Sequence, residues 1–313
     1  MSVLSKKRGM KRNPLARNKV KALSLMALPS ILLFFVFNYT PMFGMILAFK
    51  DYKYDKGILG SPWAGMKNFK FFFESMYAWR VTRNTIVHNM VFIFVTLVLA
   101  VIVALILYEI TQKHLIKFYQ TVMFTPYFLS MSVVAFVAYA FFNADMGVLN
   151  NLLESMGKES VLWYSDPNKW IFIMPIIYVW KNVGYYVIIY YAGLMGIDNS
   201  YFEAAEIDGA TKLQQIRYIT LPLLSSIIIV MVILQVGRIF YSDFGQFYLV
   251  PRDSGSLYSV VDVIDTYIYR ALRVTGDVGV SSAVGVYQSV VGFILVMVTN
   301  FIVRKIDADS AII

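Results

Sequence analysis

The sequence predicts an all-α integral membrane protein with six transmembrane helices, and three observations carry that prediction. Hydrophobic residues make up 58% of the 313 positions, and the mean hydropathy is +0.62. Only 15% of the residues are charged, against about 25% in an average soluble domain. The apolar residues come in blocks of about twenty, the length that a helix needs to cross the hydrocarbon core of a bilayer.

Six apolar blocks supply the predicted spans, with prolines at positions 29, 41 and 126 as expected kinks. The blocks cover residues 23–47, 86–108, 118–142, 170–193, 221–241 and 284–303. None of them contains aspartate or glutamate. Carboxylates at mid-membrane carry the protons or sodium ions of ion-coupled transporters, so their absence argues against that mechanism.

A strongly basic segment precedes the first block. Residues 1–22 carry eight lysines and arginines, in a chain whose formal net charge is +9. No aromatic residues are interleaved with them as stacking platforms, which argues against nucleic-acid binding. A basic flank before the first span instead predicts a cytoplasmic amino terminus. The block at 23–47 is longer than the apolar core of a signal peptide and lacks a small-x-small cleavage site at its end, so we expect it to be retained as a span.

Six spans put both termini on the cytoplasmic side, together with the loop at 195–220. The expected domains are a basic cytoplasmic segment at 1–22, a six-span domain at 23–303 and a cytoplasmic tail at 304–313. In the first connector, at 50–83, aromatic and charged residues alternate over 71–80, which is typical of a helix lying at the membrane interface. This orientation leaves twelve lysines and arginines outside, against six in the inside segments after residue 22. The basic connector at 50–83 is therefore unexplained by the rule that positive charge stays inside.

A polar loop at 195–222 separates the fourth and fifth blocks. Ser200 followed by Glu203 has the spacing of a capping box for a short helix, and Thr211 followed by Gln214 repeats that spacing. Gly209 between them is expected to end the first helix. The loop is therefore predicted to form a helix, a sharp turn and a second helix. Pro222 then lies near the first turn of the next span, where its missing N–H costs little.

Seven residues of this loop are similar in spacing to the EAA motif of permease subunits of bacterial ABC importers. They are Glu203, Ala204, Ala205, Gly209, Ile219, Leu221 and Pro222. Softer positions resemble carbohydrate importers of the MalF/MalG-like superfamily, in its LplB-type subgroup. These include Tyr39-Thr40-Pro41, Ser61-Pro62-Trp63, Asn68-Phe69, Trp180 and Gly184. The chain thus resembles a permease subunit of a type I ABC importer for carbohydrates.

The resemblance implies the type I importer permease fold and a loop at 195–222 that docks into a cleft on an ATPase subunit. Glu203 would cap its helix and contact the ATPase, the face formed by Ala204 and Ala205 would permit close approach, and Gly209 would permit the turn. The full set of residues assigned to ATPase coupling is Glu203, Ala204, Ala205, Asp208, Gly209, Leu213, Ile216, Leu221 and Pro222.

The resemblance also implies a set of partners. An ABC ATPase dimer would bind ATP and magnesium, so this chain would need no cofactor of its own. Because the dimer has two clefts and the chain has one loop, a second, non-identical permease subunit is expected. An extracytoplasmic sugar-binding protein would deliver an oligosaccharide to an alternating-access path. The expected location is the bacterial cytoplasmic membrane, which the chain would cross several times.

The residues offer little for catalysis. The absence of cysteine excludes disulfides, thiolate metal sites and cysteine nucleophiles. His88 and His114 are far apart in sequence and have no metal-binding spacing. Gly157-Lys158 lacks the glycine that a phosphate-binding loop needs at position 152, which is leucine. We therefore expect a non-catalytic subunit that leaves ATP to a partner.

Two spans carry a cation, Lys181 in the fourth and Arg238 in the fifth. Each costs about 2.5 to 3.5 kcal/mol at a helix centre, which indicates that they face a polar lumen. The predicted substrate path is Trp180, Lys181, Asn182, Tyr185, Tyr186, Gln235, Arg238 and Tyr241. The alternative is that the two cations snorkel to the interface and that the tyrosines form an interfacial belt.

Other interpretations remain open at this level. The loop at 195–220 could be an interfacial lid in which Glu203 serves only as a cap. The whole chain could be a standalone channel or facilitator in which that loop is a gate. A membrane-bound enzyme is more distant, because no catalytic constellation is present in the sequence.

Overall fold

The computed structural model describes residues 14–306, and this part of the chain is helical, with no β-strand. Most of the basic segment at 1–22 and most of the tail at 304–313 lie outside the described residues. The predicted all-α membrane fold is confirmed.

The α-helices are numbered in chain order over the described range. They are α1 (Pro14–Tyr39), α2 (Gly57–Gly60), α3 (Lys67–Phe73), α4 (Met76–Glu109), α5 (Lys113–Phe124), α6 (Met131–Phe142), α7 (Val148–Ser155), α8 (Pro167–Met195), α9 (Ser200–Ile207), α10 (Lys212–Gln215), α11 (Leu221–Val236), α12 (Phe244–Tyr248), α13 (Tyr258–Val261), α14 (Ile264–Arg273) and α15 (Val278–Ile306). Short 3₁₀ segments cover Thr40–Phe49, Thr125–Phe128, Trp163–Ser165 and Gly255–Leu257, and a π-helical turn covers Ile216–Thr220.

Within the described range, five helical segments are long and apolar enough to cross a membrane. They are Ala22–Phe49, Met76–Glu109, Pro167–Met195, Lys212–Val236 and Val278–Lys305. The expected third span is instead a pair, Lys113–Phe128 and Met131–Phe142, bent by 102°. It makes a sixth span only if the bent pair counts as one.

The bend in span three follows from its sequence. Pro126 has no backbone N–H, so it cannot continue the hydrogen-bond ladder of α5, and the chain passes into the 3₁₀ turn Thr125–Phe128. Ser130 then starts a new helix, because its hydroxyl accepts from the Val133 N–H. The prediction of one kinked span at 118–142 is therefore wrong in its geometry.

The run at 71–80, expected as one interfacial helix, is not a single helix. These residues are divided between the end of α3 and the start of α4, which begins ten residues before the predicted second span. Phe72 is only 1% exposed and packs against the rings of Tyr267 and Tyr287. Its ring therefore anchors this part of the chain in the protein core.

Helices α4 and α8 form the centre of the molecule. Ala100 and Ala104 of α4 are fully buried in one cluster with Tyr190 and Leu194 of α8. On α8, a Cβ added to Gly184 would collide with the backbone carbonyl of Met123. The glycine therefore lets the broken span approach α8 closely.

The segment at 242–277, which joins the fifth and sixth spans, contains three short α-helices. Its apolar residues Phe247, Leu257 and Val261 are buried in the cluster that holds Phe92 of α4 and Trp170 of α8. Burial of those residues holds α12 and α13 against the spans, and Ile264 of α14 is buried in a second cluster with Phe72 and Val81.

Internal partners account for part of the basic charge that the predicted orientation leaves outside. Lys50 is 8% exposed and its Nζ donates to the carbonyls of Ile58 and Leu59 at 2.8 and 2.7 Å. Arg80 Nη2 lies 2.6 Å from Asp262 Oδ2. Two of the twelve cations thus have a structural role within the fold.

Candidate functional site

A cavity of about 880 Å³ lies between α4, the 3₁₀ turn after α5, α8 and the far end of α11. Six of the eight predicted path residues line it: Asn182, Tyr185, Tyr186, Gln235, Arg238 and Tyr241. Sequence reasoning missed Asn89, Tyr127, Tyr178, Ser242 and Asp243 on the same wall. Tyr178 could have been found, because it lies one helical turn before Asn182 and so shares its face of α8.

The structure does not bring Trp180 and Lys181 to the cavity wall. Trp180 precedes Asn182 by two positions, which is about 200° around the helix, so it points away from the face that carries Asn182. Lys181 lies at the edge of that face, one turn before Tyr185. Trp180 is 42% exposed elsewhere on α8. Lys181 is buried against the turn that carries Tyr127, beside the cavity and not on its wall.

Lys181 instead binds the backbone of the broken span. It is 8% exposed, and its Nζ donates to the carbonyls of Pro126, Tyr127 and Leu129 at 3.3, 3.0 and 2.6 Å. A break in a membrane helix leaves carbonyls without their usual partners. The ammonium group therefore satisfies three of them and fixes the turn that carries Tyr127.

Flat aromatic faces border the cavity. Tyr127 stacks on Tyr185 with ring centroids 4.9 Å apart and planes 12° from parallel. Phe92 stacks on Tyr178 at 4.2 Å and 11°. Both pairs join residues of different helices, so they fix the width of the cavity as well as line it.

The polar groups of the cavity differ in what they already bind. The guanidinium of Arg238 makes no ion pair or hydrogen bond with any described residue, whereas Asp243 Oδ1 accepts from the Gln246 N–H at 3.0 Å and caps α12. The Nε2 atom of Gln235 is buried and has no partner within residues 14–306. An arginine and an amide of the cavity thus have donors without a partner.

The loop between α8 and α11 has the predicted helix, turn and helix. Gly209 has φ of +75°, a left-handed conformation that favours glycine. The capping box of Thr211 and Gln214 is confirmed, since the Thr211 N–H donates to Gln214 Oε1 at 2.7 Å and the Gln214 N–H donates to the Thr211 hydroxyl at 3.4 Å. The second helix is therefore fixed locally.

The expected capping box of Ser200 and Glu203 is wrong. The α9 cap residue is Asn199, without a side-chain cap. Asp198 Oδ1 instead accepts from the Ser200 N–H at 2.9 Å, and this hydrogen bond holds the pKa of Asp198 below its ordinary value. An aspartate two residues upstream therefore does the work assigned to the serine.

The second loop helix runs into span five without a break. A π-helical turn at Ile216–Thr220 joins α10 to α11, and the Thr220 hydroxyl donates to the Gln215 carbonyl at 3.3 Å. On the other side, Lys212 Nζ lies 3.3 Å from Glu206 and 4.0 Å from Glu109 at the end of α4. A displacement of the loop would thus be transmitted directly to span five.

The nine residues expected to contact an ATPase divide into two groups. Six are exposed: Glu203, Ala204, Asp208, Gly209, Leu213 and Pro222. Ala205, Ile216 and Leu221 are half-buried, and Leu221 packs against the cluster of α4 and α8. The sequence interpretation missed Ile207, which is 87% exposed beside Gly209, while Leu213 across the turn is 76% exposed. An apolar tip of this kind is unusual on a surface that faces only water.

Comparison with known proteins matches residues 97–308 to the family described as the inner membrane component of binding-protein-dependent transport systems. The chain belongs to this family. It is a multi-pass membrane protein and a non-catalytic permease component of such a system. No group of three or more His, Cys, Asp or Glu side chains that could hold a metal ion occurs among the described residues.

Relatives of this permease component cover almost its whole length. Protein LplB of Bacillus subtilis strain 168 is 34% identical over 94% of this chain and 92% of its own. The polygalacturonan/rhamnogalacturonan transport system permease protein YteP of the same strain is 34% identical over 99% of this chain and 96% of its own.

Solved structures agree with these relatives. A chain of a bacterial ABC transporter involved in the import of the acidic polysaccharide alginate superposes with a TM-score of 0.85 at 30% identity, covering 94% of this chain and all of that one. A chain from the alginate transporter in complex with its alginate pentasaccharide-bound periplasmic protein gives a TM-score of 0.83 at 30% identity, over 92% and 96% of the two chains.

Proposed function

We propose that this permease component forms half of the translocation path of an ATP-driven oligosaccharide importer, and that the loop at 195–222 couples it to an ATPase. The observation that carries the proposal is the combination of one aromatic, amide-rich cavity with one exposed apolar loop tip, joined by the continuous helix Lys212–Val236. Such a helix can convert closure of the ATPase into movement of the cavity wall.

The cavity chemistry supports a saccharide substrate. Stacked tyrosines present apolar faces that suit the faces of pyranose rings, and the free donors of Gln235 and Arg238 suit hydroxyl and carboxylate oxygens. The unpaired guanidinium favours sugars that carry a carboxylate. The names of the alginate transporter and of YteP concern acidic polysaccharides, which supports the same choice.

The assembly that we propose contains two permease subunits, because an ATPase dimer has two clefts and this chain supplies one loop. A second, non-identical permease subunit supplies the other loop, the ATPase dimer binds ATP and magnesium, and an extracytoplasmic binding protein delivers the sugar. Both termini lie in the cytoplasm, so the segment at 1–22 and the tail at 304–313 flank the membrane domain at 23–303 on that side.

The test is reconstitution of the complex with the ATPase and permease encoded beside this chain. We expect the subunits to co-purify, and we expect acidic oligosaccharides, presented on their binding protein, to stimulate ATP hydrolysis. Saccharide flux through this chain alone, without co-purification of an ATPase, would favour the rival interpretation as a standalone channel or facilitator with a gating loop.

Changing Gly209 to valine is expected to weaken coupling. A β-branched residue at φ of +75° is strained by about 1 to 2 kcal/mol, although a Cβ meets nothing within 4 Å. The loop should therefore distort while the membrane part folds. The matched control is Gly255→Val, where a Cβ also meets nothing within 4 Å and φ is not positive. Stimulated ATP hydrolysis should fall about tenfold in Gly209→Val only, and equal rates in the two variants would contradict the role of the turn.

Changing Arg238 to glutamine is expected to raise the half-saturating concentration of an acidic oligosaccharide by about tenfold or more, because a charge-assisted hydrogen bond contributes about 1.5 to 3 kcal/mol. A neutral oligosaccharide of the same length should be affected much less. Trp180→Ala is the control, since Trp180 lies off the cavity wall. An equal change for both sugars in Arg238→Gln would argue against recognition of a carboxylate.

A further inference from the structure

The far end of span five, away from the coupling loop, is unwound. Helix α11 ends at Val236 and α12 begins at Phe244, so residues 237–243, here called the rim segment, are not α-helical. The rim segment supplies Arg238, Tyr241 and Asp243 to the cavity wall. Non-helical backbone at membrane depth must find partners outside its own helix, so what holds this segment decides where those side chains lie.

Three side chains from three different helices hold the rim segment. Asn89 Nδ2 of α4 donates to the carbonyls of Ile239 and Tyr241 at 2.8 and 3.2 Å. Gln288 Nε2 of α15 donates to the Phe240 carbonyl at 2.9 Å. Asp265 Oδ2 of α14 accepts from the Ser242 N–H at 2.9 Å and from Gln288 Nε2 at 3.1 Å. Three successive carbonyls and the next N–H are thereby satisfied by side chains.

Asn89 reaches the cavity, but the other two anchors do not. Gln288 is only 4% exposed. Burial raises the pKa of Asp265 above its ordinary value, while the hydrogen bonds from Ser242 and Gln288 act in the opposite direction. Buried Gln288 and half-buried Asp265 thus pair with each other and with the rim segment, where an apolar pair would leave the backbone of Phe240 and Ser242 unsatisfied.

A glycine of span six holds the ring of Tyr241. Gly292 lies four residues after Gln288 and so on the same face of α15. A Cβ added to Gly292 would lie 2.9 Å from Tyr241 Cε2 and 3.5 Å from its hydroxyl oxygen. By contrast, a Cβ on Gly285 of the same helix would meet nothing within 4 Å. The ring of Tyr241 therefore occupies the space that the missing side chain leaves.

We propose that Gln288, Asp265 and Gly292, none of which lines the cavity, are positioning residues that set saccharide selectivity by holding the rim segment. The inference rests on the proposed function, because it treats Arg238 and Tyr241 as groups that touch the sugar. A displacement of about 1 Å is enough to change recognition strongly, and no described residue of span six lines the cavity itself.

The test compares matched variants of α15 in the assembled complex. Gly292→Ala and Gln288→Met should raise the half-saturating concentration of the stimulating oligosaccharide by about tenfold and change the ratio between acidic and neutral sugars, with the maximal rate of ATP hydrolysis preserved. The controls are Gly285→Ala, which fills open space, and Ser289→Ala, which removes only an exposed hydroxyl bonded to the Gly285 carbonyl. Both controls should behave as wild type.

A second readout does not depend on transport. The chain has no cysteine, so Arg238→Cys introduces a single thiol into the rim segment. Its rate of modification by a water-soluble maleimide should change several-fold when Gln288→Met is added, and it should stay constant when Ser289→Ala is added.

Half-saturation and thiol labelling together distinguish failure of this inference from failure of the proposed function. Variants of Gly292 and Gln288 that match their controls in both half-saturating concentration and thiol labelling would overturn the inference. A reduced maximal rate with no change in half-saturation or in sugar preference would also overturn it, because that pattern describes damage to the fold. A wild-type complex that no saccharide stimulates would overturn the proposed function instead, and labelling would still decide whether Gln288 holds the rim segment.

Discussion

Changing Ile207 to aspartate is expected to abolish co-purification of this permease component with its ATPase. The Ile207 side chain is 87% exposed at the tip of the loop, one residue before the turn at Asp208 and Gly209. It belongs to no buried cluster of the described chain, so the substitution removes little internal packing. A carboxylate in an apolar contact costs several kcal/mol of binding free energy, since it is desolvated without a partner. Binding should therefore be lost while the membrane part remains folded.

The control for Ile207 is Leu59, whose side chain is 86% exposed in the first connector. Both residues are equally exposed and apolar, but in the proposed orientation they lie on opposite sides of the membrane. Leu59→Asp should therefore leave the ATPase attached. Affinity purification followed by measurement of the ATPase-to-permease ratio checks both variants. An unchanged ratio in Ile207→Asp, or an equal loss in Leu59→Asp, would remove the loop tip from the proposed contact.

The features that the sequence predicted correctly depend on local chemistry. Spans one, two, four and six follow from long apolar runs, and the turn at Gly209 and the capping box at Thr211 follow from residues within a few positions of each other. The cavity residues on α8 follow from helical spacing, because Asn182, Tyr185 and Tyr186 recur on one face. These patterns involve residues that are close together in sequence, so they can be recognised without knowledge of the tertiary fold.

The features that sequence reasoning missed depend on contacts between distant segments. The charge of Lys181 suggests a side chain that faces a lumen. Its partners are instead backbone carbonyls of the broken third span, more than fifty positions earlier. No residue pattern announces that Gln288 binds the Phe240 carbonyl, forty-eight positions away. A broken span leaves backbone carbonyls without partners in their own helix. Only the folded structure shows which side chain binds each of these carbonyls.

The segment at 242–277 is another case in which distant contacts decide the structure. Asp262 within it is 1% exposed and lies between two arginines. Asp262 Oδ2 accepts from Arg80 at 2.6 Å, Oδ1 accepts from Arg270, and the Thr266 hydroxyl donates to Oδ1 at 3.0 Å. This cluster joins the start of α4 to α14, the helix whose Asp265 holds the rim segment.

Changing Asp262 to alanine is accordingly expected to give the largest loss of stability, about 3 to 5 kcal/mol, because it leaves partly buried guanidinium groups without their shared carboxylate. Glu74→Ala is the control: its ion pair with Lys70 spans 3.7 Å and both side chains are about 70% exposed, so its loss costs about 1 kcal/mol at most. Thermal unfolding in detergent, followed by tryptophan fluorescence, measures both. Adding Arg80→Met to Asp262→Ala should recover part of the stability, since it removes one uncompensated charge. A double variant less stable than Asp262→Ala alone, or an Asp262→Ala no worse than Glu74→Ala, would show that the charge cluster does not hold α14 in place.

Because α14 carries Asp265, Asp262→Ala should also weaken sugar recognition more than ATPase binding, which depends on the opposite end of span five.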